Sequence, residues 1–358
     1  MAKSTGRPRA RPTIYDVAAL AGVSTASVSR LLNGKGQIAP ATRAAIEAAV
    51  RQLGYQPNVV ARSLVTKSTQ TIALLLPEIT NPFYGALVSG IEQRTLELGY
   101  TLLLCTTRGD PLREELYLDL LRSKQVDGAL VDGLVLPPER ISRFVSEGFP
   151  IVCLDRSIDA PSVPLVQVDN KLGARIAAEH LLELGHTRIA HVTGDPALRI
   201  SRDRADGYAA ALRDAGIDPA PELVAPGGFT EDGGYEATRT LLARRPRPTA
   251  VFAANDLSAV GVIDAIVEKG LRVPDDVSVV GFDDLRLAAY TTPPLTTIHQ
   301  PAREIGERAT SLLLDLTTGK KVRRLRHLLP PELVVRRSTA PPLRHRKGRT
   351  GEGSNAGA

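Results

Sequence analysis

Residues 13–65 constrain the fold of this chain more than any other stretch of its 358 residues. Apolar side chains recur at helical spacing near the start of this stretch: Ile14, Val17, Ala18 and Leu20. Thr13 can cap this helix, and Gly22 can turn the chain sharply after it. Ser24 can cap a second helix, whose apolar face would be Val28, Leu31 and Leu32. Two helices joined by a short turn with glycine form the helix-turn-helix motif, whose second helix enters the major groove of DNA.

A third helix is predicted over roughly residues 41–53, and it would close a three-helix core. Its inward side chains would be Ala44, Ile46, Ala49, Val50 and Leu53. The outer side of the second helix carries short side chains and one arginine: Thr25, Ala26, Ser27, Ser29 and Arg30. Short side chains let the backbone approach base edges closely, so this surface is predicted to contact DNA.

The distribution of charge supports this interpretation. Residues 1–70 contain ten Lys or Arg against two Asp or Glu, whereas residues 71–335 contain 29 against 36. The net charge of +6 therefore hides a cationic amino-terminal end, which is where a phosphate backbone would be met. Residues 1–12 are predicted to be a disordered basic arm. Residues 337–358 are predicted to be a disordered basic tail, because their apolar content is low.

From residue 71 onwards, short apolar runs alternate with amphipathic helical stretches. The strand candidates are residues 71–76, 100–105, 128–135, 150–154, 165–168, 188–194, 249–255 and 277–282. Continuous apolar strands separated by helices predict parallel sheets that are covered on both faces. Two successive sets of such units indicate two doubly wound subdomains. The cleft between the carboxyl ends of their strands is the default ligand pocket.

Features that would direct the chain to a membrane or out of the cell are missing from the sequence. No apolar run approaches the roughly 18 residues of a membrane span, and the basic amino terminus has no apolar stretch behind it. Cys105 and Cys153 lie in apolar, strand-like runs and are predicted to be buried free thiols. We therefore expect a cytoplasmic protein.

Residues 13–64 resemble the lactose-repressor/galactose-repressor (LacI/GalR) family of ligand-responsive transcriptional regulators. The matching segments are TIYDVAALAGVS, VSRLLN, TRAAIEAAVRQLGYQPN and ARSL. The resemblance implies a hinge helix that orders on operator DNA and pushes Leu64 into the minor groove, where an apolar wedge kinks the duplex. It implies DNA contacts from Thr13, Tyr15, Ser24, Thr25, Ala26, Ser29, Arg30, Asn33, Asn58, Ala61, Arg62 and Leu64. The alternative is that Leu64 only packs against a neighbouring domain.

The rest of the chain resembles the effector core of the same family, which has the fold of periplasmic sugar-binding proteins. The matching segments include NPFYGALVSGIE, ANDLSAVG, GLRVPDDVSVVGFDD and PPLTTIHQP. The resemblance implies an all-α helix-turn-helix domain over residues 13–57, a hinge helix or linker over 58–70, and an α/β effector-binding and dimerisation domain over 71–335. The N-subdomain would cover about 71–168 and 298–326, and the C-subdomain about 169–292 and 327–336. The three crossings between subdomains would lie near 168–170, 291–298 and 325–330.

The resemblance also implies a set of effector contacts. They are Phe83, Tyr84, Asp155, Arg156, Arg202, Arg204, Phe229, Asn255 and Asp283. These residue types suit a polyhydroxylated ligand, because Asp and Asn bond hydroxyl groups, Arg donates in a fixed fork, and aromatic faces cover apolar ring surface. With no Trp, six Phe and eight Tyr, the chain has few stacking surfaces, which weakens the assignment of a particular sugar.

Each of these residues also has a structural alternative. The two aspartates could cap the helix or turn that follows them. The two phenylalanines could belong to the core, and Arg204 could pair with Asp203 or Asp206 on the surface.

Two other classes of protein compete with the DNA-binding interpretation. A transport or chemotaxis binding protein shares the two-lobed core, but it requires export and leaves residues 13–65 without a purpose. An enzyme is suggested only by Gly-Asp and Asp-Asp pairs, and the chain lacks the phosphate loop, the Gly-x-Ser-x-Gly elbow and the His-Glu-x-x-His motif. Six scattered histidines and two isolated cysteines predict no metal site, and no cofactor is expected.

The sequence therefore predicts a transcriptional regulator, most simply a repressor, that is associated with the bacterial nucleoid and is not an enzyme. Its partners would be palindromic double-stranded operator DNA, a second copy of the chain in a homodimer, and a small polar effector such as a sugar or sugar derivative. Effector and DNA affinities would be linked reciprocally. The sequence leaves open the identity of the effector, the operator sequence and whether the effector releases DNA.

Overall fold

In the computed structural model of the chain, residues 12–32, 37–56, 68–123, 125–133, 137–155 and 162–343 are described. They fall in two compact units, Met1–Thr69 and Gln70–Ala358. Each unit has its own hydrophobic core.

The described part of the first unit contains three helices, α1 (Ile14–Ala21), α2 (Thr25–Leu32) and α3 (Pro40–Leu53). Its amino-terminal cap is the predicted one, because the Thr13 hydroxyl accepts from Asp16 N while the Asp16 carboxylate accepts from Thr13 N. Gly22 ends α1 with φ 66°, and the Ser24 hydroxyl accepts from Ser27 N at 3.2 Å. Helix-turn-helix geometry thus follows from local residue chemistry.

The core of this unit is formed by Val17, Ala18, Val28, Ile46 and Ala49. Two predicted core residues are exposed instead: Leu20 and Ala44. Residues two apart on a helix point in nearly opposite directions, so Ala44 faces away when Ile46 faces inward. Leu20 lies at the edge of the arc that α1 buries.

The second unit alternates strands and helices. Its strands are β1 (Thr71–Leu76), β2 (Thr101–Thr106), β3 (Gly128–Val131), β4 (Ile151–Leu154), β5 (Leu165–Val168), β6 (Ile189–Thr193), β7 (Val224–Pro226), β8 (Ala250–Ala253), β9 (Ser278–Asp283), β10 (Thr296–His299), β11 (Arg326–Leu329) and β12 (Glu332–Val334). Its helices are α4 (Pro82–Glu97), α5 (Pro111–Arg122), α6 (Pro138–Ser146), α7 (Asn170–Glu183), α8 (Arg199–Asp214), α9 (Glu231–Leu242), α10 (Asp256–Glu268) and α11 (Ala302–Thr317). Short 3-10 turns cover Pro221–Leu223 and Arg286–Ala289.

The strands form two six-stranded sheets. The sheet of the N-subdomain has the order β11-β5-β4-β3-β1-β2 and is parallel throughout. The sheet of the C-subdomain has the order β12-β10-β9-β8-β6-β7 and is parallel except for β12. The central strands β3, β4, β8 and β9 are buried along their whole length, as strands covered on both faces are. The predicted doubly wound α/β core with two subdomains is confirmed.

The crossings between subdomains correct two of the predicted boundaries. The first crossing is at residue 169, between β5 and α7, within the predicted range. β10 pairs with β9 through His299, so the second crossing is at residues 300–301, and residues 298–299 belong to the C-subdomain. β11 pairs with β5 and β12 with β10, so the third crossing is at 330–331, and residues 327–329 belong to the N-subdomain. Hydrogen bonding between strands distant in sequence sets these boundaries, and local periodicity does not report it.

The predicted disorder of residues 337–358 is wrong at the start of that segment. Ser338 is fully buried, and its hydroxyl accepts from Thr296 N at 2.7 Å and donates to Val279 O at 2.6 Å. Ala340 N donates to the Ser278 hydroxyl at 3.0 Å, and Ala340 O lies 2.9 Å from His186 Nε2. These polar contacts order residues 338–340, which low apolar content alone predicts to be disordered. The predictions for residues 1–11 and 344–358, and for most of the hinge, lie outside the described residues.

Cys105 and Cys153 are buried free thiols, as predicted. Across the described ranges, no helix combines the length and the apolar character needed to span a lipid bilayer.

Candidate functional site

One small cavity, of about 20 Å³, lies where strand ends of the two subdomains meet. It is lined by Asn81, Phe83, Tyr84, Asp155, Ile200, Arg204, Phe229, Asn255, Asp283 and Gln300. Seven of the nine residues that the family resemblance implies are in this set. The lining residues follow or end different strands, which is where doubly wound folds bind ligands. The space holds about one water molecule, so a larger ligand requires the subdomains to separate.

Arg204, on α8, is the most constrained side chain of the cavity. It is 2% exposed, its Nε donates to Asn170 Oδ1 at 2.8 Å, and its Nη1 donates to Ala254 O. Its guanidinium carbon lies 3.7 Å from the centroid of the Phe282 ring. The alternative of a surface pair with a neighbouring aspartate is therefore excluded. The fork is held rigidly beside the cavity, with Nη1 4.0 Å from Asp283 Oδ1.

Asp283 ends β9 with φ 117°, a left-handed conformation that is unusual for a residue with a side chain. Its Oδ1 accepts from Gln300 Nε2 at 2.6 Å. The other amide atom of that glutamine, Oε1, is buried and has no hydrogen-bond partner within the described part of the chain. It is available to accept a hydroxyl from a ligand.

The carboxylate of Asp256 stabilises the chain segments on either side of this part of the site. Its carboxylate accepts from Leu285 N at 2.7 Å and from the Thr297 hydroxyl at 2.6 Å. Burial, reinforced by the nearby carboxylate of Asp283, raises the pKa of Asp256 well above its usual range. Two donors aimed at the carboxylate offset part of the cost of burying it.

Asn255 is held by the protein itself. Its Oδ1 accepts from Ser258 N at 2.9 Å in the capping box of α10, and its Nδ2 donates to Phe229 O at 3.1 Å. Phe229 has φ 65°, and a Cβ atom added to Gly194 would overlap its ring. Asn255 thus fixes the backbone that presents the Phe229 ring to the cavity, in addition to lining the cavity.

The N-subdomain contributes the start of α4. Asn81 caps this helix by accepting from Phe83 N at 2.9 Å, and the rings of Phe83 and Tyr84 meet edge to face at 5.6 Å. The Tyr84 hydroxyl donates to Asp132 Oδ2 at 2.9 Å, and this aspartate is fully buried behind β3. Asp155, buried after β4, completes this side.

Of the two remaining residues of the implied set, one is described and does not line the cavity. Arg202 is exposed and donates through Nη1 to Pro196 O at 3.0 Å and to Ala197 O at 2.8 Å. It is two positions from Arg204 on α8, and a helix turns about 200° over two residues, so the two side chains point apart. Arg156 lies outside the described residues.

Three lining residues were not predicted: Asn81, Ile200 and Gln300. The Asn-Pro pair at 81–82 is a recognisable helix start, and Gln300 directly follows a strand that the apolar pattern did not reveal. No cluster of three or more His, Cys, Asp or Glu side chains able to hold a metal ion occurs among the described residues.

The residues implied to contact DNA lie on or beside α1 and α2 where they are described. Tyr15 is 73% exposed; Ser24, Ala26 and Arg30 are exposed; Thr25 and Ser29 are half-buried. Thr13 is engaged in the α1 cap, and Arg30 Nε lies 3.4 Å from Ala26 O. The remaining implied contacts lie outside the described residues: Asn33, Asn58, Ala61, Arg62 and Leu64.

Comparison with known proteins matches both units. Residues 13–58 match the family model of bacterial regulatory proteins of the lacI family, and residues 178–339 match that of periplasmic binding protein-like domains. The ribose operon repressor of Escherichia coli K12 is 41% identical over 329 residues, covering 91% of this chain and 99% of that protein. The transcriptional repressor PurR of Photobacterium profundum is 37% identical over 327 residues, covering 91% and 98%. A crystal structure of the lac repressor dimer bound to operator and the anti-inducer ONPF covers 92% of this chain and 100% of its own, with TM-score 0.84 and 32% identity.

Proposed function

The chain belongs to the lacI family of bacterial regulatory proteins, and on this premise we propose that it is a homodimeric repressor whose effector is a free aldopentose, D-ribose or a close stereoisomer. It is a DNA-binding transcriptional regulator with a helix-turn-helix unit and an effector domain of the periplasmic-binding-protein type. The finer proposal concerns the ligand, the residues that contact it and the way it controls DNA. Acting on chromosomal DNA, the protein would be found with the nucleoid in the cytoplasm.

The chemistry of the cavity lining is the observation that carries the proposal. Polar groups converge from both subdomains, including one guanidinium, two carboxylates and the free Oε1 of Gln300. Such a set matches a ring that carries a hydroxyl on nearly every carbon. Phe83 and Phe229 add aromatic surface for the C–H faces of the ring. The ribose operon repressor is a relative over nearly its whole length, which favours a pentose among the sugars that such a lining could bind.

The test is a thermal-denaturation titration of the full-length protein with D-ribose, D-arabinose, cellobiose, hypoxanthine and guanine. At a hundred times Kd, a ligand that binds only the folded form stabilises it by about 2.7 kcal/mol. For a domain of this size we expect a rise in Tm of about 5–10 °C with D-ribose. A rise with a purine and none with any pentose would contradict the sugar proposal and favour an effector of the kind that the name PurR suggests for that relative.

Gly194 offers a way to disturb the aromatic wall without removing a polar group. In the Gly194→Ala variant the added methyl group must displace the Phe229 ring, so we expect D-ribose affinity to fall about tenfold. Isothermal calorimetry measures the change. The matched control is Gly85→Ala, because that glycine is exposed on α4 and an added Cβ meets no atom within 4 Å. Unchanged affinity in the Gly194 variant would remove Phe229 from the binding surface.

Leu64 is proposed to be the residue that kinks the operator. In the Leu64→Ala variant we expect specific operator affinity to fall about 30-fold or more, because no large apolar side chain is then inserted between base pairs to stabilise the kink. Binding to unrelated duplex DNA, which depends on phosphate contacts, should change less than twofold. Fluorescence anisotropy at fixed salt measures both. Equal losses on the two duplexes would show that Leu64 acts on protein stability rather than on DNA shape.

A further inference from the structure

The turn that follows β9 carries two consecutive residues with left-handed backbone. Asp283 has φ 117° and Asp284 has φ 56°. Neither is glycine, so each conformation costs free energy and persists only where the surroundings impose it. Because Asp283 presents its carboxylate to the cavity, whatever imposes this backbone also determines where that carboxylate points.

Asp284 turns its own side chain away from the cavity and towards two other segments. Its Oδ1 accepts from Arg336 Nη2 at 2.6 Å, and its Oδ2 lies 3.1 Å from His299 Nδ1. The side chains of Asp284 and Arg336 are 18% and 21% exposed, so this ion pair is largely shielded from solvent. Arg336 is itself fixed, because its Nη1 donates to Leu295 O at 2.9 Å and its backbone N donates to the Thr296 hydroxyl at 3.0 Å.

Of the two partners of Asp284, His299 lies next to a place where the chain passes between subdomains, and Arg336 lies just beyond the short strand that follows another. His299 is the last residue of β10, directly before the crossing at 300–301. Arg336 follows β12, the strand that begins directly after the crossing at 330–331. β10 is paired with β9 on one side and with β12 on the other, and His299 is in register with both Asp283 and Glu332. The turn is therefore tied to two of the three connections between the subdomains.

We propose that Arg336 and Asp284 are positioning residues for the effector: their ion pair, supported by His299, holds the left-handed turn that aims the Asp283 carboxylate into the cleft. None of the three lines the cavity, although Asp284 follows the lining residue Asp283 and His299 precedes the lining residue Gln300. The arrangement gives the interdomain connections a direct mechanical link to the ligand-binding carboxylate. It rests on the proposed function only in the identity of the ligand used to test it.

The first test needs no ligand. Leu285, the residue after the turn, donates its backbone N–H to Asp256 Oδ2 at 2.7 Å, so a loosened turn is expected to expose this amide to exchange. Hydrogen exchange on the full-length protein should show the Leu285 amide exchanging about tenfold faster in Arg336→Gln and in Asp284→Asn than in the parent. The matched control is Arg272→Gln, which breaks an exposed ion pair of the same kind with Asp275 and Asp276 in the same subdomain. Unchanged exchange at Leu285 in both test variants overturns the proposal, whether or not D-ribose is the effector.

The second test measures D-ribose affinity by calorimetry and operator affinity by anisotropy. Both variants should bind D-ribose about tenfold more weakly, while operator affinity without D-ribose stays within twofold of the parent. The double variant Asp284→Asn/Arg336→Gln should be no weaker than the worse single variant, because each change removes the same contact. Additive losses, or a parallel loss of operator affinity, indicate a general structural role and overturn the proposal. If the parent itself does not bind D-ribose, the assignment of the effector fails and the exchange result alone decides the role of the turn.

Discussion

Replacing Arg204 by methionine is expected to abolish the response to the effector and to lower the free energy of unfolding by about 3–5 kcal/mol. The guanidinium is 2% exposed and bonds Asn170 Oδ1 and Ala254 O, so its removal leaves buried acceptors without a donor. It also removes a positive charge that lies 4.0 Å from the Asp283 carboxylate. A ligand would then have to enter a site that is missing its main donor.

The chain supplies a matched control on the same helix. Arg202→Met removes an identical side chain two residues away, where it is exposed and donates to the backbone carbonyls of Pro196 and Ala197. We expect that variant to change the free energy of unfolding by less than about 0.5 kcal/mol and to keep the parent response.

Urea denaturation and release of operator by D-ribose measure the two effects of Arg204→Met. Arg204→Lys keeps the charge without the planar fork, so it should fold better than the methionine variant and still respond poorly. A methionine variant that releases operator at the parent's D-ribose concentration would contradict the role assigned to Arg204.

The parts of the fold that were predictable from sequence are those whose cause is local. The Thr13 cap and the Gly22 turn depend on residues within one helical turn, and both form as predicted. β1 is a continuous apolar run with both faces covered, and its bounds match the predicted residues 71–76. The strands that were missed have a different cause. β11 contains Arg326 and His327 and is mostly exposed, and only its pairing with β5 makes it a strand.

For the site, the family resemblance supplied most of the lining residues, but their individual roles depend on packing. Arg204 and Arg202 are both candidates from the sequence, and the register of α8 against Ala254 and Phe282 brings only Arg204 to the cavity. The capping role considered for Asp283 is not observed, because the 3-10 turn Arg286–Ala289 begins after Leu285 and has no side-chain cap. The left-handed turn at Asp283 and Asp284 had no indication in the sequence, because no glycine occurs there and its supports come from residues 256, 299 and 336.

Dimerisation leads to the second large expected effect. The N-subdomain exposes leucines on two successive elements, Leu103 and Leu104 on the edge strand β2 and Leu112 and Leu116 on α5. Leu112 is 81% exposed and Leu116 is 66% exposed, and they are one helical turn apart. Large apolar side chains exposed one helical turn apart mark an interaction surface, and we propose that a second copy of the chain covers this face of α5.

The double variant Leu112→Glu/Leu116→Glu is therefore expected to be monomeric and to bind a palindromic operator at least 100-fold more weakly. Charges on both sides of a two-fold interface face each other, and the monomer loses the effective concentration that couples the two half-sites, a factor of about 10² to 10⁴. Sedimentation velocity measures the mass and anisotropy measures the affinity. D-ribose binding should remain within twofold of the parent, because the cavity lining lies within one chain.

The control is Leu172→Glu, which changes an exposed leucine on α7 of the C-subdomain and should stay dimeric. A dimeric double variant with parent operator affinity would place the dimer surface elsewhere, while an unaltered D-ribose response would still support the effector site.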